Sequence, residues 1–173
     1  MRQNGRACDK PPKGALMADK KRFRVAHKSY TGKNLFVISS WIEEELIGTH
    51  RAYSDVVFFE FTELYEAKSK SVLALSSSDM RSMVYGVREL LKTGKTQYEK
   101  YTDPNLAGTS GNKKKITFGK TEGAINYFFI NFTSGAMKIG FSFDTYGFAG
   151  FADSLSLIAE ETEKALYYYQ RSR

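Results

Sequence analysis

The stretch Val72-Leu73-Ala74-Leu75-Ser76-Ser77-Ser78-Asp79-Met80 changes character part-way along. Up to Leu75 it is a short apolar run of strand length. From Met80 onward, apolar residues recur at three and four positions, at Met83, Val84, Val87, Leu90 and Leu91, which is one face of a helix. The serines and Asp79 between the two supply N-cap chemistry, short oxygen-bearing side chains that accept from the free N–H groups of a first turn. The helix is predicted to end near Gly94. A second switch follows Ile139-Gly140-Phe141-Ser142-Phe143-Asp144, after which Phe148, Phe151, Ala152, Leu155, Ile158, Ala159 and Leu166 mark a longer helix running into Tyr167-Tyr168-Tyr169.

The two switches can be laid on each other. Apolar positions 80, 83, 84, 87 and 90 match 148, 151, 152, 155 and 158 at a constant offset of 68. Upstream, Phe59-Glu60-Phe61-Thr62 matches Ile130-Asn131-Phe132-Thr133 at an offset of 71, so the intervening loop is three residues longer in the first copy. This points to an internal duplication of a strands-then-helix unit and to an α+β fold. Other β-branched or aromatic runs at 23–26, 35–42, 56–64, 116–118, 125–132 and 137–143 read as strands. Residues 98–120, with Asp103-Pro104-Asn105, Gly108, Gly111 and then Lys113-Lys114-Lys115, read as a turn followed by a mobile loop.

Outward from this centre, 173 residues with 42% hydrophobic and 14% aromatic content are enough for one domain with an aromatic-rich core. The net charge of +7 is unevenly placed. Residues 1 to 33 carry ten Lys/Arg against two acids, and the remainder carries 16 against 17. Residues 1 to 22 are expected to be a flexible basic arm containing Pro11 and Pro12, and 23 to 173 a single domain whose halves span about 23–94 and 98–170. The nearly neutral body must therefore meet any polyanion through a local patch or through stacking. No apolar stretch reaches the roughly 18 residues of a membrane span. The lone Cys8 cannot form an internal disulfide, so a soluble, intracellular protein of a reducing compartment is expected, cytoplasmic or nucleoid-associated, with an organelle left open.

The common catalytic constellations are missing. A phosphate-binding loop needs a glycine five residues before Gly-Lys, whereas Gly32-Lys33, Gly94-Lys95 and Gly119-Lys120 have His27, Glu89 and Lys114 there. Ser110 and Lys113 have a nucleophile's spacing but fall in the expected loop. His27 and His50 stand apart from each other and from any nucleophile elbow. Glu43-Glu44-Glu45 would point to alternate faces of a strand and reads as a solvated acidic edge. The expectation is a non-enzyme, with no cofactor and no metal.

What remains is surface. If Leu73, Leu75, Ile139, Phe141 and Phe143 face the helices, alternation leaves Ala74, Lys138, Gly140 and Ser142 on the opposite face, with Phe58, Glu60, Thr62, Tyr127, Phe129, Asn131 and Thr133 from the neighbouring strands. Aromatics among small polar groups suit the stacking of unpaired bases, worth about 1 to 3 kcal/mol each, while Lys113, Lys114, Lys115, Lys120 and Lys138 reach phosphates. The rival reading buries Phe58, Tyr127 and Phe129 against another subunit.

Ala74-Leu75-Ser76-Ser77-Ser78-Asp79-Met80 with its helix, the Asp103-Pro104-Asn105 turn, Lys113-Lys114-Lys115-Ile116, Tyr127-Phe128-Phe129 and the second strand-helix resemble, in that order, the plant Whirly proteins. The arrangement also resembles the wider group that includes the positive-cofactor-four transcription coactivator. It covers about residues 55 to 166. The resemblance implies two tandem antiparallel four-stranded sheets, each followed by a helix, assembling through the helices into a tetramer. It implies binding of single-stranded DNA, or RNA, with little sequence preference, in replication, recombination, repair or transcription. The strand from Tyr127 through Phe129 and Asn131, its counterpart around Phe58 and Thr62, and the lysine run would lie near the nucleic acid. The Lys-Gly-Lys-Ala-Ala-Leu motif of Whirly proteins has only Lys13-Gly14-Ala15-Leu16 to set against it, in the arm. A third reading, from a different class, is an assembly protein whose basic arm tethers it to an acidic partner.

Overall fold

A computed structural model describes residues 20–65, 69–94, 98–102, 113–121 and 127–172. Most of the basic arm, with Pro11 and Pro12, and the Asp103-Pro104-Asn105 turn with Gly108 and Gly111 lie outside the described residues. The chain runs β1 (Lys21–Thr31), β2 (Asn34–Ile47), β3 (His50–Glu63), β4 (Lys70–Leu75), α1 (Ser77–Thr93), β5 (Tyr98–Thr102), β6 (Lys114–Lys120), β7 (Phe128–Ser134), β8 (Met137–Phe143) and α2 (Thr145–Arg171). Strands β1 to β4 form one antiparallel sheet in sequence order, and β5 to β8 form a second. The β2–β3 hairpin turns at Gly48, whose φ of 63° is a left-handed conformation that a side chain resists.

Alternation divides each sheet into an apolar and a polar side. In the first sheet Phe36, Ile38, Phe59, Phe61, Leu73 and Leu75 are buried. In the second, Ile116, Phe118, Phe128, Ile130, Phe132 and Ile139 are. These two inner faces share one core, because the Phe61 ring lies flat between Phe36 and Phe132, with centroids 4.5 and 4.2 Å away. Phe148 and Phe151 of α2 close over the same cluster, with Phe148 stacked on Phe128 at 4.7 Å.

The start of α1 uses the expected chemistry, and the start of α2 has an acidic cap of its own. The Ser76 hydroxyl accepts from the Asp79 N–H while the Asp79 carboxylate accepts from the Ser76 N–H, a reciprocal capping box. Asp55 of β3 also accepts from the Ser77 N–H and ties this helix start to the sheet. Helix α1 stops at Gly94, in the left-handed conformation with φ 66°. Asp144 caps α2 by accepting from the Gly147 N–H at 2.6 Å. The helices run antiparallel: Arg81 near the start of α1 grips Glu163 with two hydrogen bonds of 3.0 and 2.7 Å, and Arg88 reaches Asp153 at 3.6 Å. The bond from Arg81 holds the Glu163 carboxyl below the ordinary glutamate range.

Two expectations change. Residues 98–102, expected within a turn and loop, form β5. Their sequence has no apolar alternation to announce a strand, and it is the backbone ladder from Tyr98↔Phe118 to Thr102↔Lys114 that makes them one. The acidic run is not a solvated edge either. β1 pairs with β2 and brings Arg22 to Glu43 at 2.8 Å, while Glu44 accepts from the Tyr53 hydroxyl at 2.9 Å. Among the described residues no helix is long and apolar enough to cross a membrane, and no three His, Cys, Asp or Glu side chains are grouped to hold a metal.

Candidate functional site

The outer face of the second sheet is built from three rows of neighbours. Register places Lys115 beside Thr133 and Lys138, Thr117 beside Asn131 and Gly140, and Gly119 beside Phe129 and Ser142. Together these form a groove of about 520 Å³ lined by Lys115, Thr117, Phe129, Asn131, Thr133, Lys138 and Gly140. Its walls combine one aromatic ring, two ammonium groups, two hydroxyls and an amide.

Two glycines shape the face. A Cβ on Gly119 would stand 2.3 Å from the Phe129 ring, so the ring lies directly over bare backbone. A Cβ on Gly140 would stand 2.9 Å from the Asn131 Oδ1. Glycine at both positions leaves the ring and the amide lying low across the strands, with the groove open above them.

Four of the residues expected from sequence meet here: Lys115, Phe129, Asn131 and Lys138. Tyr127 stands at the entry to β7, 43% exposed, held by a hydrogen bond from its N–H to the Thr121 hydroxyl at 3.1 Å. Lys113 is exposed just ahead of β6.

Lys114 and Lys120 do not join this face, contrary to expectation. Strand alternation turns both toward the helix side, in phase with Ile116 and Phe118. Lys114 is buried and donates to the Val72 carbonyl of the other sheet at 2.7 Å. The Lys120 ammonium sits 5.6 Å from the centre of the Phe128 ring, where a Cβ on Gly94 would meet it at 3.2 Å.

Phe58 and Thr62 also lie apart from the groove, on the outer face of the first sheet. There Phe58 is covered by the Arg22 guanidinium, 5.2 Å from its ring centre. The first sheet carries Glu60 where the second carries Asn131, and Glu60 is paired with Lys70 at 2.5 Å. With Arg22 engaged by Glu43 as well, two cations of this face serve its own carboxylates, while Arg24 stacks on the Trp41 ring at 4.7 Å. The groove of the second sheet has Lys115 and Lys138 in its lining and, among the described residues, no carboxylate, which favours an anion there.

Thr117 is the groove residue that sequence reading missed. The signal was available in the parity of β6, where Lys115, Thr117 and Gly119 alternate with the apolar Ile116 and Phe118.

No family model matches the chain, and no curated protein does. A solved fold does. The crystal structure of WHY1 from Arabidopsis thaliana covers 92% of this chain and 91% of its own, with a TM-score of 0.55 at 11% identity. The fold is Whirly-like. At that identity the likeness is one of architecture.

Proposed function

We propose that this protein binds single-stranded DNA without enzymatic activity, using the outer face of the second sheet. The Phe129 ring offers a stacking shelf. Lys115 and Lys138 stand within the same groove to neutralise phosphates, and Thr117, Asn131 and Thr133 offer hydrogen bonds that suit any base. The observation that carries this reading is the gathering of an aromatic ring and two lysines in one open groove, on a fold like that of WHY1. Little sequence selectivity is expected, because every base has a face to stack. The groove's threonine hydroxyls and amide would also meet a ribose 2′-hydroxyl, so RNA is the second reading.

The test is a fluorescence-anisotropy titration of a labelled single strand of about 30 nucleotides against its duplex, with the full chain and with a chain lacking residues 1 to 16. The expected result is a preference for the single strand that survives both moderate salt and loss of the arm. Weak, equal and salt-erased binding of both forms would sink the proposal and favour an assembly protein with a basic tether.

We propose further that copies associate through the helices into a tetramer. Tyr85 of α1 and Leu157 of α2 are 71% and 56% exposed, and each lies between the Arg81–Glu163 and Arg88–Asp153 pairs along its helix. Two apolar side chains bordered by ion pairs are laid out as a contact surface. The double change Tyr85→Glu and Leu157→Glu is expected to lower the mass found by light scattering without unfolding the chain. An unchanged mass would move the interface elsewhere. The correspondence of the two halves at offsets of 68 and 71 is read, in the same proposal, as an internal duplication.

A further inference from the structure

Three depressions meet around one short piece of β8. The first is the groove on the second sheet. The second, of about 240 Å³, lies between Lys33 and Asn34 at the β1–β2 turn, Glu63 and Tyr65 at the end of β3, and Lys138. The third, of about 340 Å³, is a slot between that turn and β8, walled by Tyr30, Phe141 and Phe143. They share residues: Lys138 borders the first and second, Lys33 the second and third, Gly140 the first and third.

Strand β8 is an edge of its sheet, so no further strand walls the groove off on that side. At the crossing point stands Gly140, which has no side chain to block passage. Beyond it, Lys33 is exposed at a turn and Tyr65 is 77% exposed. Among the described residues neither Lys33 nor Lys138 enters an ion pair, unlike Arg22 and Lys70 on the first sheet. The slot's wall is stiff, because Tyr30 packs against Phe36, Phe143 and Phe151 with centroids 5.6 to 6.0 Å apart.

We infer that the bound single strand leaves the second sheet over the β8 edge at Gly140 and continues between β8 and the β1–β2 turn. Lys33 takes a phosphate there, and the exposed ring of Tyr65 receives a base. This rests on the proposed binding of single strands and adds a second binding region from the other sheet. Two cations against Glu63 alone favour an anionic chain, and aromatic walls favour its bases. The strand therefore spans both halves of one chain.

The experiment compares a strand of about four nucleotides with one of about sixteen, bracketing the usual range for such surfaces. The full-length chain is used, unchanged and with Lys33→Ala, Tyr65→Ala or Phe129→Ala. Both Lys33 and Tyr65 are exposed, so the fold is expected to tolerate their loss. If the path is right, Lys33→Ala and Tyr65→Ala each lower affinity for the long strand by about tenfold and leave the short one within about twofold. Lys33→Ala also reduces the salt slope for the long strand by about one. Phe129→Ala weakens both strands. If the Lys33 and Tyr65 changes leave long-strand affinity intact while Phe129→Ala still weakens binding, the path is overturned and the groove stands. Equal loss on short and long strands also overturns it, since Lys33 would then belong to the groove itself. If Phe129→Ala has no effect either, the groove falls with it.

Discussion

Replacing Phe129 by alanine is expected to weaken single-strand binding by about 5- to 150-fold, at low and high salt alike. A stacked base contributes roughly 1 to 3 kcal/mol, and stacking is not a counterion effect. Lys115→Ala or Lys138→Ala is expected to act differently, flattening the dependence of affinity on salt by about one unit of slope for each phosphate that is no longer neutralised. Gly119→Ala separates the ring's position from its presence. The new methyl would start 2.3 Å from the ring and must lift it, so binding is expected to fall although Phe129 remains. Anisotropy titrations at several salt concentrations check all of these. A Phe129→Ala chain whose affinity is unchanged at high salt would remove the stacking shelf from the mechanism.

The largest effect on stability is expected from Phe61→Ala, about 3 to 5 kcal/mol. Its ring has no exposed surface and lies between Phe36 of its own sheet and Phe132 of the other. Alanine would leave a cavity that neither sheet can close without separating from its neighbour. Phe58→Ala, three residues earlier on the outer face, is expected to cost about 1 kcal/mol, since it forfeits only partial burial and the stacking of Arg22. Urea unfolding midpoints compare the two. If Phe61→Ala moved the midpoint no further than Phe58→Ala, the two sheets would not share a common core.

How much of this could be read from the residues depends on the distance over which each signal acts. The cap of α1 was legible because Ser76 and Asp79 bond to each other three residues apart. The buried alternation of β7 and β8 was legible for the same reason. The lysine run misled because three adjacent cations look like one patch, whereas a strand sends neighbours to opposite sides. Ile116 and Phe118 already carried the phase that turns Lys114 and Lys120 inward. Alternation turns Phe58 and Thr62 outward, but it contains nothing about which of two sheets that side belongs to. β5 was hidden for a further reason. Its residues have no pattern of their own and become a strand only by pairing with β6. The roles of Lys33 and Tyr65 depend on the turn after β1 and the end of β3 coming to rest beside β8, a proximity that arises only on folding.

The inward turn of Lys114 has its own effect. Glu63 donates its N–H to the Ser69 carbonyl, and in an antiparallel ladder the bonded pairs alternate, so the pair Glu60↔Val72 leaves the Val72 N–H and carbonyl facing away from β3. β4 is the last strand of its sheet, and such a border invites a strand from another molecule to add itself. The Lys114 ammonium occupies the outward carbonyl of Val72, so an intruding strand would have to displace a charged group before it could pair. A lysine that falls out of the binding surface thereby guards the chain against edge-to-edge aggregation.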